Sequence, residues 1–175
     1  MVFAAEQMQL LLIDWQERLF PAMEERRREA ALRAAENLLF LADSLQMPVL
    51  VSEQYPRGLG HTLPTLARPD AVEKLTFSAM GTPAFAERVS RPTLLVCGME
   101  THICVTLTVQ ALRERGLEVV VVADACLSRR EEDHQRGLEF MRSLGAHILS
   151  SETVLFGTIG QAGTPLFKEI SRRIR

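Results

Sequence analysis

Apolar residues along this chain fall into short continuous runs that alternate with segments of helical periodicity. A short run without polar alternation is typical of a strand buried on both faces. Six such runs predict strands at residues 8–14, 48–52, 72–75, 93–97, 118–123 and 147–149. Because helical segments separate them, we predict an α/β fold with a doubly wound, Rossmann-like, six-stranded parallel sheet and helices on both faces.

The helical segments have recognisable spacing and end signals. In residues 31–45 the apolar positions recur every three or four residues, which predicts an amphipathic helix. Further helices are predicted to begin at Thr82, Thr101, Ser128 and Thr164. The Ser128–Glu131 segment has the spacing of a capping box. Residues 53–65 contain Pro and Gly and predict a long loop.

Composition narrows the class of protein. A chain of 175 residues with 47% hydrophobic residues predicts one domain, residues 1–175, with one core. A net charge of -2 disfavours nucleic acid and anionic membranes as partners. The apolar stretches are far shorter than the roughly 20 residues of a membrane span, and the N-terminus does not resemble a secretory signal. Three scattered cysteines favour a reducing, cytoplasmic location.

Lysine is rare in this chain. Only Lys74 and Lys168 are lysine among the 20 basic residues, and all the others are arginine. Lys168 lies in an Arg-rich helical segment, where a solvated charge explains it. Lys74 lies among mostly apolar residues. A compact ammonium with a pKa that shifts readily can take a role there that a planar guanidinium cannot.

Three reactive side chains fall near predicted strand ends, where open parallel sheets bind ligands. Asp14 ends the first strand, Lys74 lies at the third, and Cys104 lies in the first turn of the helix after the fourth. A helix N-terminus and a nearby lysine both favour a thiolate, so Cys104 is a candidate nucleophile with a lowered pKa. A small buried hydrophobic role explains Cys104 equally well.

Several separated motifs resemble the isochorismatase-like cysteine hydrolase superfamily. They are LLIDWQ around Asp14, SEQYPRGLG over residues 52–60, EKLTFS around Lys74, CGMETHICV around Cys104 and ADACLSR over residues 123–129. The resemblance implies a catalytic triad of Asp14, Lys74 and Cys104, a cis peptide before Glu100, and an oxyanion hole formed by the amides of Glu100 and Cys104. It also implies homo-oligomers.

The chain departs from the metal-binding branch of that superfamily. Members of that branch carry an Asp-x-His arrangement with a further histidine after the second strand, whereas the corresponding loop of this chain has Gln54, Tyr55 and one histidine, His61. A metal site needs several converging ligands, so we expect no metal and no other cofactor. Because Cys104 is present, the chain also departs from isochorismate hydrolases that lack the cysteine.

These observations predict a cysteine hydrolase of a small amide or carbamoyl compound, acting through a thioester. We expect Gln16, Phe20, Tyr55 and His102 to contact the substrate, although core packing explains the aromatic residues equally well. One alternative is a non-catalytic oligomeric module for interaction or ligand sensing. Another, a nucleotide-binding Rossmann domain, lacks its Gly-rich loop.

The segment after the sixth strand bears on assembly. Residues 151–159 are apolar and punctuated by glycine, so the segment either forms an exposed interface between copies or folds back onto its own sheet.

Overall fold

The computed structural model describes residues 3–174 and contains one six-stranded sheet. Its strands are Met8–Ile13 (β1), Val49–Gln54 (β2), Val72–Lys74 (β3), Thr93–Met99 (β4), Glu118–Leu127 (β5) and His147–Leu149 (β6). They lie in the order β3-β2-β1-β4-β5-β6, and every pair is parallel. The predicted doubly wound sheet is confirmed. The strand order reverses between β1 and β4, where such sheets place their ligand sites.

Helices cover both faces of the sheet, as predicted. They are Glu25–Ser44 (α1), Pro56–Leu59 (α2), Pro83–Ala86 (α3), Thr106–Glu114 (α4), Glu131–Ser143 (α5), Ser151–Ile159 (α6) and Pro165–Arg173 (α7). Helix α1 packs with α6 and α7, and α4 packs with α5. Every residue of β1 and β4 is buried, as continuous apolar runs require. Among residues 3–174 no helix has the length and apolarity to span a membrane.

The structure corrects two local predictions. The 53–65 segment is not all loop, because β2 continues to Gln54 and the single helical turn α2 follows it. The predicted capping box at Ser128 is wrong. Helix α5 begins at Glu131 with no side-chain cap, and the Ser128 hydroxyl instead lies 2.9 Å from Nδ1 of His102.

The segment after β6 folds back onto its own sheet. It forms α6, which contacts β5, α1 and α7. Val154 and Leu155 are fully buried there, and the Phe156 ring packs 6.0 Å from that of Phe167. Of the two alternatives for this segment, an exposed interface is therefore wrong.

Candidate active site

Asp14, Lys74 and Cys104 converge at the carboxyl end of the sheet. Asp14 directly follows β1, Lys74 ends β3, and Cys104 lies in a π-helical turn, Thr101–Val105, that connects β4 to α4. Strand β2 lies between β1 and β3. The long Lys74 side chain therefore crosses the end of β2, and its Nζ lies 2.8 Å from Oδ2 of Asp14.

The Lys74 ammonium is fully enclosed by acceptors. Besides Asp14 it donates to Oε1 of Gln54 at 2.7 Å and to the carbonyl oxygens of Thr76 and Phe77, both at 3.2 Å. Its side chain is 0% exposed. A compact ammonium can point its three hydrogens at separate acceptors, whereas the rigid fork of a guanidinium cannot.

Asp14 is held on both carboxylate oxygens. Oδ1 accepts a 2.6 Å hydrogen bond from the Ser52 hydroxyl, and Oδ2 accepts the bond from Lys74. The backbone of Asp14 has φ +53°, in the left-handed region that asparagine and aspartate tolerate better than most residues. Strained residues of this kind persist where the surrounding structure fixes them, and they cluster at active sites.

Gly98 lets β4 approach the end of β1. It pairs with Ile13 and has φ +147°. A Cβ at this position would lie 2.0 Å from the Ile13 carbonyl oxygen, so no other residue fits without moving the backbone. This close approach brings the cysteine-bearing turn next to Asp14.

Cys104 is a buried thiol beside the Asp14–Lys74 pair. Burial raises its pKa to about 12; the negative charge of Asp14 acts in the same direction, and Lys74 opposes it only partly. The prediction of a lowered thiol pKa is therefore wrong, because desolvation outweighs the lysine and the helix end. The raised pKa favours the neutral thiol, and the Asp14 carboxyl lies beside it.

Glu100 follows a cis peptide bond, Met99–Glu100, at the position that the resemblance implies. Its carboxylate accepts hydrogen bonds from Nε and the backbone amide of Arg129, at 3.0 and 3.2 Å. Its carbonyl oxygen accepts from the amides of Ile103 and Val105, at 3.1 and 3.3 Å. These contacts fix Glu100 and the π-helical turn to each other.

A small cavity connects these groups. It has a volume of about 100 Å³ and is lined by Asp14, Leu19, Gln54, Leu59, Phe77, Glu100, Ile103 and Cys104. A larger depression, of about 350 Å³, lies beside Lys74 and Tyr55 but includes neither Asp14 nor Cys104. Of these two, only the smaller cavity brings Asp14 and Cys104 together.

The residues expected to contact substrate lie around this cavity, and none of the four lines it. Gln16 is buried, and its amide donates to the carbonyl oxygens of Gln54 and Gly60, at 2.9 and 2.7 Å, and accepts from the Gln54 amide at 2.7 Å. It thus ties two loops together. Phe20 packs against Trp15. Tyr55 lines the larger depression, and His102 pairs with Ser128.

The apolar walls of the cavity were missed by the sequence reasoning. Leu19 lies in a segment without a functional signature, whereas Leu59 and Ile103 lie within the SEQYPRGLG and CGMETHICV motifs. Only proximity in the fold reveals that the three side chains line one cavity. Phe77, the aromatic residue of the EKLTFS motif, also lines the cavity. Its own carbonyl oxygen accepts a hydrogen bond from Lys74, which places it next to the site.

The loop that carries Leu59 is anchored to β2 by Glu53. This buried carboxylate accepts from the amide and hydroxyl of Thr62, both at 2.7 Å, and lies 2.9 Å from Nδ1 of His61. Burial alone raises the pKa of Glu53, but these hydrogen bonds outweigh it and lower the pKa. Within residues 3–174, no three His, Cys, Asp or Glu side chains are grouped so that they could hold a metal ion.

Comparison with known proteins places this site in a family context. Residues 8–153 match the family model described as isochorismatase domain. Isochorismatase domain-containing protein 2 of Homo sapiens is 42% identical over 149 residues, which cover 81% of this chain and 71% of the relative. The Xenopus laevis protein of the same name is 40% identical over 145 residues, which cover 80% and 71%.

Solved structures share the fold. A structure described as MAR1 ribonuclease from Caenorhabditis elegans has a TM-score of 0.89 at 33% identity, covering 98% of this chain and 91% of that one. YcaC of Escherichia coli, described as an octameric hydrolase of unknown specificity, has a TM-score of 0.91 at 19% identity, covering 97% and 89%. YcaC from Pseudomonas aeruginosa, solved with covalent acrylamide, has a TM-score of 0.87 at 18% identity, covering 97% and 90%.

Proposed function

The chain belongs to the isochorismatase family, and from that premise we propose that it is a cysteine-dependent hydrolase that cleaves the C–N bond of a small amide or carbamoyl compound. One observation carries the proposal: the Cys104 thiol and the Asp14 carboxyl line the same small cavity, and the Lys74 ammonium lies 2.8 Å from that carboxyl. This is the arrangement of a nucleophile with its base and an orienting charge.

In the first half of the proposed reaction, Sγ of Cys104 attacks the substrate carbonyl carbon while its proton passes to Asp14. The new S–C bond produces a tetrahedral oxyanion, which the backbone amides of Glu100 and Cys104 stabilise. Asp14 then returns the proton to the leaving nitrogen, the C–N bond breaks, and a thioester on Cys104 remains.

In the second half, the oxygen of a water molecule attacks the thioester carbon while Asp14 accepts a proton from that water molecule. The C–S bond breaks and the proton returns to Sγ, so the products are the acid and the free amine or ammonia. Lys74 holds the Asp14 carboxyl in place beside the thiol in both halves. Because the resting thiol is neutral, Asp14 acts as a general base in both halves.

The four predicted contact residues take supporting positions in this proposal. Gln16 and Phe20 hold the loops around the cavity, whereas Tyr55 and His102 lie beyond its walls. Leu19, Leu59, Phe77 and Ile103 take the direct contacts with substrate. We also propose that the protein is a homo-oligomer, as the YcaC neighbour is described to be.

Ribonuclease activity is a less suitable candidate, although three structural neighbours carry that name. A cavity of about 100 Å³ is too small to enclose a nucleotide. In the part of the chain that the structure describes, no cation lines it, and phosphate recognition relies on cations or clustered amides. Incubation with RNA is expected to leave the RNA intact.

Mass spectrometry after exposure to a slowly hydrolysed activated amide tests the proposal. We expect an acyl adduct on Cys104 that disappears with time as acid is released. Cys104→Ser should lose the adduct and turnover, whereas Cys97→Ala and Cys126→Ala should keep both. An adduct confined to Cys97 or Cys126 would remove Cys104 as nucleophile. No adduct and no turnover with any amide or carbamoyl compound would favour the non-catalytic module.

A further inference from the structure

The cavity walls carry information on the substrate that the triad does not. Their apolar part consists of four side chains, Leu19, Leu59, Phe77 and Ile103. The remaining lining residues, Asp14, Gln54, Glu100 and Cys104, are either catalytic or already engaged. The acyl group of a substrate therefore contacts apolar side chains on the sides that face away from the reacting carbonyl group.

The polar groups near the cavity have little capacity left for a substrate. The Lys74 ammonium has four acceptors for three hydrogens. The Gln54 side chain accepts from Lys74 and donates to the Leu75 carbonyl oxygen at 3.0 Å. The Glu100 carboxylate is held by Arg129. Within residues 3–174 no uncommitted cation lines the cavity, and two carboxylates do.

These contacts disfavour a negatively charged acyl group. A carboxylate in this space would lose its hydration, gain no ion pair and lie close to Asp14 and Glu100. The same argument favours turnover of a neutral amide. Its hydrolysis creates a carboxylate product that the cavity binds poorly, so product leaves readily.

The volume limits the length of the acyl group. An apolar protein cavity of about 150 Å³ accommodates benzene, with six carbon atoms. By that proportion, a cavity of about 100 Å³ holds about four. We propose that the substrates are uncharged amides whose acyl group is a hydrocarbon chain of up to about four carbons. This inference rests on the proposed function and selects the amide over the carbamoyl class.

Two isosteres test the charge requirement. Isobutyramide and oxamate have the same number of heavy atoms in the same connectivity, but a carboxylate replaces the isopropyl group in oxamate. We expect kcat/KM for oxamate to be at least about 100-fold lower. Leu59→Lys adds a cation to a half-buried wall position, so the ratio of kcat/KM for oxamate to kcat/KM for isobutyramide should rise at least tenfold. The neutral control Leu59→Met should leave this ratio unchanged. Comparing ratios cancels the intrinsic reactivity of the two amides. Leu19→Lys with Leu19→Met repeats the test at a second wall.

A chain-length series tests the size limit. Activity should fall at least tenfold between butyramide and hexanamide. Phe77→Ala should restore the hydrolysis of hexanamide, whereas Phe140→Ala, at an exposed aromatic residue on α5, should not restore it. Equal kcat/KM values for oxamate and isobutyramide would overturn this inference, and so would faster hydrolysis of propylurea than of butyramide. In either case, acylation of Cys104 would still support the proposed function. If no compound acylates Cys104, both are overturned.

Discussion

The Nζ atom of Lys74 lies 2.8 Å from Oδ2 of Asp14, and both side chains are completely removed from solvent. A buried ion pair of this kind gains little net stability, because desolvation of the two charges offsets their attraction. Removing one partner is costly, since the other charge remains buried and uncompensated. In the proposed mechanism, the pair instead serves to fix Asp14 beside Cys104 as the base.

The first prediction concerns the chemical identity of the lysine. Lys74→Arg should lower kcat/KM by at least about 1000-fold although it preserves the charge, because a guanidinium cannot occupy the site between Asp14 and Gln54. Steady-state kinetics with a short amide, together with thermal unfolding, measures the effect. Lys168→Arg, at the exposed second lysine, is the matched control and should behave as the native protein. Near-native activity of Lys74→Arg would show that Lys74 is not part of the machinery.

The second prediction concerns the protonation of Cys104. Because burial raises its pKa to about 12, the thiolate absorbance of native protein should stay flat up to about pH 9. A Cys97→Ala, Cys126→Ala double variant isolates the signal from Cys104. In urea the same variant should titrate near the ordinary thiol pKa of about 8.5. A thiolate step near pH 7 in the native protein would contradict the neutral-thiol mechanism.

The three buried thiols should make the protein less stable at alkaline pH. Burial raises the pKa values of Cys97 and Cys126 as well as that of Cys104. Above the unfolded thiol pKa the unfolded chain releases protons that the native protein keeps. The free energy of unfolding should therefore fall by about 1.4 kcal/mol per pH unit per thiol. Urea unfolding between pH 8 and 10 measures this slope, and the double variant should reduce it to about a third.

The third prediction concerns His134, which couples α5 to the cysteine-bearing turn. Its Nδ1 lies 2.9 Å from the Thr101 hydroxyl. Burial, assisted by the charge of Arg27, lowers the His134 pKa to about 4. A lowered histidine pKa gives stability that is complete above about pH 6.5 and is lost as the pH falls toward 4.

This loss should amount to about 2–3 kcal/mol between pH 7 and 4. His134→Gln removes the titration and should flatten the corresponding part of the stability profile in urea unfolding. His147→Gln, at an exposed histidine, should leave the profile unchanged. An identical slope in native protein and His134→Gln would show that other groups cause the acid sensitivity.

The fourth prediction concerns assembly. Strand β3 is an edge of the sheet, and Leu75 and Phe77 directly after it are 76% and 59% exposed. Exposed apolar side chains beside an open edge are typical of an interface. Light scattering at micromolar concentration should give a mass that is a multiple of 19.6 kDa. Leu75→Asp should lower the mass, and Val154→Asp should instead unfold the protein because Val154 is buried. A single 19.6 kDa species of native protein would contradict assembly.

The sequence was sufficient to predict the sheet, and it singled out Asp14, Lys74 and Cys104, which the fold brings together. Continuous apolar runs such as β1 and β4 have one stable solution, a strand covered on both faces, and alternation with helices then implies parallel pairing. Asp14 and Lys74 were recognisable because each is a charged residue at a strand end, a position where open sheets bind ligands. The resemblance to a known family located the cis peptide before Glu100.

The tertiary structure alone decided the properties that depend on many distant neighbours. The pKa of Cys104 depends on desolvation by several elements, so its sequence position at a helix start predicted the wrong direction. The cavity walls come from Leu19, Leu59, Phe77 and Ile103, which are far apart in the chain, and no single motif brings them together. Gln16 was expected to contact the substrate, and the structure shows that its side chain donates hydrogen bonds to the carbonyl oxygens of Gln54 and Gly60. Local pattern fixes secondary structure because backbone geometry is local, whereas burial, electrostatics and cavity shape are sums over the whole fold.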